Sequence, residues 1–406
     1  LAYVWLWIDA LRRSLVNLVF LLVLAALIGV FFIRPEVTLP DHAALLIRPK
    51  GALVEQRSLT DPLDLLRATP GSGGEVMLAD LLEAIHAARD DQRIQALVIE
   101  TDDLDSAGLS KLLELRSAIA MFKESGKPVI ARGERFTQAQ YLLASAADEV
   151  HLSPDGFLLV HGMARFVSYF KGALDQLGIK VHVFRVGEYK SFSEPFTRTG
   201  MSEEDRSSTR DLLDALWNAY RTEVSASRKL DMAVIDRYVQ DYAGVLQEYG
   251  GNPAAAALGL RLVDQLTTRD QWHEALRSLL SPASEAPGDT KADPGKPRLV
   301  SVGEYLDQQR RALLPPGTAK IAVLVAQGSI VDGKGAPGSV GGDSLAEQIR
   351  AAREDDSVRA VVLRIDSPGG SAWASEVIRR ELHVTRLKGK PVIASMSSPA
   401  ASGGYW

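Results

Sequence analysis

Two stretches near the end of this 406-residue chain carry the residue types of an acyl-transfer site. The first, Asp366-Ser367-Pro368-Gly369-Gly370-Ser371, follows an apolar run that ends at Ile365. Two glycines between a buried strand and a helix can free two backbone N–H groups to point into a cleft, as in an oxyanion hole built from main chain. The same residues also make an ordinary turn. The second stretch, Ala400-Ala401-Ser402-Gly403-Gly404, follows the apolar run Pro391 to Met396. A serine with no bulk on either side, at a strand-to-helix turn, presents its hydroxyl where a helix dipole favours a developing anion. A helix N-cap also wants a serine, but it has no need of the small neighbours that let a peptide backbone approach.

A serine nucleophile requires a base. None of the seven histidines (His42, His86, His151, His161, His182, His273, His383) has a recognisable acid-base setting. Lysine can serve if it is held neutral, which takes roughly 4 kcal/mol of desolvation and local field. The best setting is Lys190, expected just past an apolar strand and surrounded by Tyr189, Ser191, Phe192 and Phe196. By composition alone, a surface lysine with its stem lying on apolar neighbours is the better reading of that position.

The elements that must position these residues occur twice. Residues 81–99, LLEAIHAARDDQRIQALVI, match residues 345–363, LAEQIRAAREDDSVRAVVL, at an offset of 264. Gly126-Lys127-Pro128-Val129-Ile130-Ala131 matches Gly389-Lys390-Pro391-Val392-Ile393-Ala394 at 263. Each copy reads as amphipathic helix, buried strand, second helix and another apolar strand, which predicts a parallel sheet covered by helices. The first copy places Ala139 where the second has Ser402, and Leu104-Asp105 where the second has Gly369-Gly370. It has the scaffold without the nucleophile. Between the copies, Ser202 is expected to cap a long helix, and residues 281–297 read as a Pro/Gly/charge-rich linker.

Upstream of both copies, Leu15 to Ile33 run about 19 residues without a charge, long enough for a helix to cross a bilayer. Arg12 and Arg13 precede the run, which favours a cytoplasmic N-terminus and export of everything beyond about Arg34. The implied organisation is residues 1–42 as stub, anchor and connector, 43–280 as a first domain, 281–317 as linker and 318–406 as a truncated second domain. Apolar residues make up 46% and charged residues 24%, enough for a sizeable core, and a net charge of −5 argues against nucleic-acid binding. The absence of cysteine rules out thiolate catalysis and disulfides in this chain.

Together, VGEYKS with a following EPF, SPGGS after a strand, and AASGGYW after GKPV resemble the signal peptide peptidase A (protease IV) family in its long two-domain bacterial form. That resemblance implies tandem crotonase/ClpP-like α/β domains and a Ser–Lys dyad. It implies Ser402 as nucleophile, Lys190 as general base, and Gly369, Gly370 and the amide of Gly403 at the oxyanion hole. It further implies no metal or organic cofactor, peptide substrates such as spent signal peptides, a homo-oligomer, and a bacterial inner-membrane protein with its catalytic domains on the periplasmic side. Ser397-Ser398-Pro399 departs from the glycine- or methionine-bearing versions of the motif. With both ends reading as cut, the isolated chain is expected to be inactive and aggregation-prone. Residues 328–334 suggest a phosphate loop, but Gly335 replaces the required Ser/Thr. Acyl-CoA chemistry on a crotonase fold and a non-enzymatic membrane scaffold are the remaining alternatives.

Overall fold

The computed structural model describes residues 2–32, 39–58, 74–280, 297–310 and 318–406, in two compact units, Leu1–Leu39 and Pro40–Trp406. The first unit is one helix, α1 (Ala2–Phe32). Asp9 pairs with Arg12 at 2.8 Å and with Arg13, one turn further along the same face. After the arginines, apolar side chains such as Leu15, Phe20 and Leu22 are exposed as far as Leu24. Among the described residues no helix is long and apolar enough to cross a membrane. The described side chains of α1 stop at Ala25, so only about 12 residues of the charge-free run, ~18 Å of helix, fall among them. The backbone of the expected anchor is helical to Phe32, and its side chains beyond Ala25 lie outside those described.

In the second unit, the apolar run Ala43–Ile47 forms β1. The chain continues through β2 (Gly51–Val54), β3 (Glu75–Met77), β4 (Ile94–Glu100), β5 (Leu104–Ser106), β6 (Val129–Gly133), β7 (Phe136–Thr137), β8 (Glu149–Leu152) and β9 (Leu158–Leu159). With β10 (Gln265–Leu266) and β11 (Leu299–Ser301), the main sheet is ordered β10-β8-β6-β4-β1-β11, and every pairing in it is parallel. Helices α2 (Leu78–Asp90) and α3 (Leu109–Lys123) lie side by side and bury Leu81, Ile85, Leu115, Ile119 and Phe122. Full burial of side chains this size stabilises by ~1.5–3 kcal/mol each. The short α4 (Gln138–Ala144) begins with a capping box in which Thr137 and Gln140 satisfy each other's amides.

From Val160 to Gly200 the chain holds only two short helices, α5 (Lys171–Gln176) and α6 (Glu194–Thr197). It then enters α7 (Glu203–Arg228), where the Ser202 hydroxyl accepts the Asp205 amide at 3.1 Å. Three short helices, α8 (Met232–Gln240), α9 (Tyr242–Glu248) and α10 (Pro253–Gly259), lead to α11 (Arg269–Leu280). Trp272, Leu276 and Leu280 of α11 cover the sheet face formed by Ala44, Ala96, Val98 and Ile130. With helices against it, the sheet can use continuous apolar strands. The expected linker 281–317 is partly structured. Residues 281–296 and 311–317 lie outside the described residues, but Leu299–Ser301 joins the β1 edge. Helix α12 (Val302–Gln309) buries Tyr305 and Leu306 beside it. The apolar run Leu299-Val300 and the Ser301–Glu304 capping box give this segment something to bury and a helix start.

The second copy repeats the frame. Strands β12 (Lys320–Gln327), β15 (Val358–Ser367) and β16 (Val392–Ala400) form a parallel sheet, with β13 (Ser329–Val331) pairing β14 (Ser339–Gly341) beside it. Helices α13 (Gly342–Glu354) and α14 (Ala372–Leu387) pack Leu345, Ile349, Ala374 and Ile378 on Leu363 and Ile365. Two details match across the copies. Lys127 Nζ donates to the carbonyls of Ala88 and Asp91 at 2.9 and 2.7 Å; Lys390 Nζ donates to those of Ala352 and Asp355 at 3.0 and 2.6 Å. Gly51 and Gly328, at φ +79° and +96°, each turn so tightly that a Cβ would lie 1.7 Å from the Gly74 carbonyl oxygen or 2.1 Å from that of Gly338. Gly328 therefore opens the strand β13, and residues 329–331 are extended rather than wrapped as a phosphate loop.

Candidate active site

Strand β15 ends at Ser367 and β16 at Ala400, adjacent in the sheet, so the two glycine-flanked motifs emerge side by side. Ser367 is fully buried and serves both: its Oγ accepts the Gly369 amide at 3.1 Å and its carbonyl accepts the Ala401 amide at 3.0 Å. Ser402 then sits at φ +50°, a left-handed conformation that costs a non-glycine residue about 1–3 kcal/mol and is found at strained functional turns. It opens a three-residue 3-10 turn, Ser402–Gly404, and its carbonyl accepts the amides of Tyr405 and Trp406 at 2.9 and 3.1 Å.

Gly369, at φ +95°, lies directly against Ser402. A Cβ there would come within 2.6 Å of Ser402 Cβ and 2.7 Å of the Gly403 nitrogen. Gly370 is held by a bridge to Ile330, whose carbonyl accepts the Ser371 amide at 2.9 Å. The amides of Gly370 and Gly403 make no hydrogen bond among the described residues, and a Cβ on Gly403 would lie 3.5 Å from the Gly370 nitrogen. Two amides without a hydrogen bond among the described residues thus lie near one another, one of them on the residue after Ser402. Gly369 lines the same space, but its own amide is already engaged by Ser367; its contribution is the missing side chain.

Lys190 is not brought to this site. Every residue from 175 to 190 is exposed, and Lys190 Nζ makes no hydrogen bond or ion pair among the described residues. The lysine segment is held only locally: Arg185 donates to the Lys190 carbonyl at 2.7 Å. The strand expected before it does not form: residues 178–186 pair with no strand among the described residues. No hydrogen bond joins Lys190 to Ser402.

Sequence reasoning missed the polar seam that joins the copies. The face of β15 opposite its helices carries Arg364 and Asp366, and both point at the first copy. Arg364 donates to Glu55 at 2.8 Å, to Glu114 at 2.6 Å and to Ser395 Oγ at 2.9 Å. Burial opposes its charge, yet the two carboxylates outweigh burial and its pKa lies above the ordinary value. Glu55, itself buried, also accepts from Ser397 Oγ at 2.6 Å. The available signal was an arginine and an aspartate, Arg364 and Asp366, alternating with apolar residues towards the end of the strand.

The profile of peptidase family S49 matches residues 121–281. "Protease 4" of Haemophilus influenzae is 36% identical over 416 residues, covering 100% of this chain and 66% of that protein. "Protease 4" of Salmonella typhi is 37% identical, covering 99% of this chain and 65% of that protein. The chain belongs to peptidase family S49. "Serine protease SPPA, chloroplastic" of Arabidopsis thaliana is 30% identical over 88% of this chain and 50% of that protein. The chain therefore spans about two thirds of the length of the bacterial S49 relatives. The span matched by the S49 profile contains Lys190 and ends before the serine motif.

Proposed function

We propose that the chain belongs to a membrane-anchored serine endopeptidase in which Ser402 is the nucleophile and Lys190 the general base. The observation that carries this reading is the left-handed Ser402 set between the free amides of Gly370 and Gly403. Neutral Lys190 takes the Ser402 proton as Oγ attacks a peptide carbonyl. The two amides hold the oxyanion, Lys190 protonates the leaving amine, and water releases the acyl group. Gly369 keeps the approach to Ser402 open.

Two features support the setting. The apolar, charge-free run of α1 behind Arg12 and Arg13 suits a single-pass anchor with the catalytic unit exported, and substrates that are extended apolar peptides such as spent signal peptides. The arm carrying Lys190 leaves Phe166, Phe184 and Phe192 94%, 98% and 92% exposed. Aromatic side chains left this open suit an arm that packs against another copy and brings Lys190 to a serine in the assembly.

The test is turnover of a fluorogenic apolar peptide by the full-length protein and by Ser402→Ala and Lys190→Ala. Loss of about 10⁴-fold or more in both, with unchanged circular dichroism, is expected. Full turnover in Ser402→Ala removes the nucleophile assignment; full turnover in Lys190→Ala removes only the base.

A further inference from the structure

Both strand ends that form the site are tied to one helix of the other copy. Lys111, on the first turn of α3, places Nζ 2.8 Å from Asp366 Oδ2, with side chains 4% and 10% exposed. Asp366 directly precedes Ser367, the residue that holds both the glycine loop and the serine turn. One position earlier on α3, Ser110 places Oγ 2.6 Å from Ser398 Oγ, which also accepts the Ser110 amide at 3.1 Å. Ser398 lies four residues before Ser402. The approach is close enough that a Cβ on Gly108 would come within 2.8 Å of Ser398 Cβ.

A buried ion pair is a poor source of net stability, because desolvation of two charges offsets most of their attraction. Its geometry, however, is narrowly fixed. Here one pair grips the strand carrying the oxyanion glycines, and an adjacent hydroxyl pair grips the strand carrying the nucleophile. Two consecutive residues of a helix that carries no catalytic group thus contact both strands whose ends lead to Gly370 and Ser402.

We propose that Ser110 and Lys111 are positioning residues for hydrolysis at Ser402, aligning the oxyanion amides with the nucleophile from the non-catalytic copy. This rests on the reading of Ser402 as the nucleophile. A displacement of about 1 Å between reacting groups costs on the order of 10²-fold in rate. The loss should therefore fall on the transition state and leave substrate binding alone.

The experiment compares the full-length protein with Ser110→Ala, Lys111→Arg, the double variant Lys111→Met/Asp366→Asn, and Ser402→Ala as control. The double variant removes both charges, so no buried charge is left unpaired. Each is measured for Tm, kcat and KM on the fluorogenic peptide, and inhibition by a peptide aldehyde, whose hemiacetal oxygen needs the same two amides. The double variant is expected to keep its Tm and KM, lose about 10- to 100-fold in kcat, and lose aldehyde affinity by the same factor. Lys111→Arg, which keeps the pair, is expected to recover most of the rate. Native kcat and native aldehyde affinity in a folded double variant overturn the proposal while an inactive Ser402→Ala leaves the nucleophile reading standing. An active Ser402→Ala overturns both. Should the double variant fail to fold, Ser110→Ala decides: parallel losses in kcat and aldehyde affinity uphold the proposal, and native values overturn it.

Discussion

In the first copy, the turn after β6 gives Thr137 an ordinary extended backbone and a capping box, and a helix follows. In the second copy, the turn after β16 gives Ser402 a left-handed backbone, no side-chain cap and a single 3-10 turn. The Thr137 and Gln140 amides are thus satisfied in one copy, and the Gly370 and Gly403 amides make no hydrogen bond among the described residues in the other. The sheets differ in the same sense. Trp272, Leu276 and Leu280 cover Ala44 and Ile130 in the first copy. In the second, strand register sets Ile321 and Ile393 at those positions, where they are 64% and 55% exposed. Among the described residues the carboxyl end of that face is met by the first copy, through Ser110, Lys111 and Glu114 of α3 and through Glu55. Among the described residues, the first sheet is covered by a helix of its own copy, and the second meets α3 of the first copy at the end where Ser402 lies.

The sharpest break of this contrast is Gly369→Ala. The added methyl must displace Ser402 or the Gly403 amide, at a φ that disfavours any side chain. Peptide turnover is expected to fall by about 10²–10³-fold, the size of losing an oxyanion donor. A near-native rate would show that the turn can relax and that its tightness is not part of the site.

Next in size is Trp272→Ala, which empties the cover of the first sheet. A loss of about 3–5 kcal/mol in urea unfolding is expected. A loss below about 1 kcal/mol would mean that α11 is dispensable, and the two sheets would then be alike.

The smallest effect concerns His151, whose ring packs 5.0 Å from that of Trp272. Burial holds its pKa below the ordinary histidine value, against the pull of Glu149. The unfolded chain therefore binds the proton more readily. The contribution is fully present above about pH 6.5 and is lost as pH falls through the lower folded-state value. His151→Gln should show a shallower decline of unfolding free energy between about pH 6.5 and 5 than the wild type. Equal slopes would place the acid sensitivity elsewhere.

Much of the frame was legible because it is local. The 264-residue echo, the apolar runs of β1, β4 and β15, the Ser202 cap and the GKP turns follow from side-chain period, capping chemistry and backbone freedom, which act over a few residues. The placing of the serine and the glycines at turns after two strands was legible for the same reason. What the tertiary structure alone decided is long-range. Leu299–Ser301 joined the β1 edge because that edge was open. The amide of Gly369 went to Ser367, leaving Gly370 and Gly403 as the free pair. Lys111 met Asp366 across 255 positions of sequence. Such pairings depend on which surfaces the folded sheets bring together, and no local preference of either residue encodes its partner.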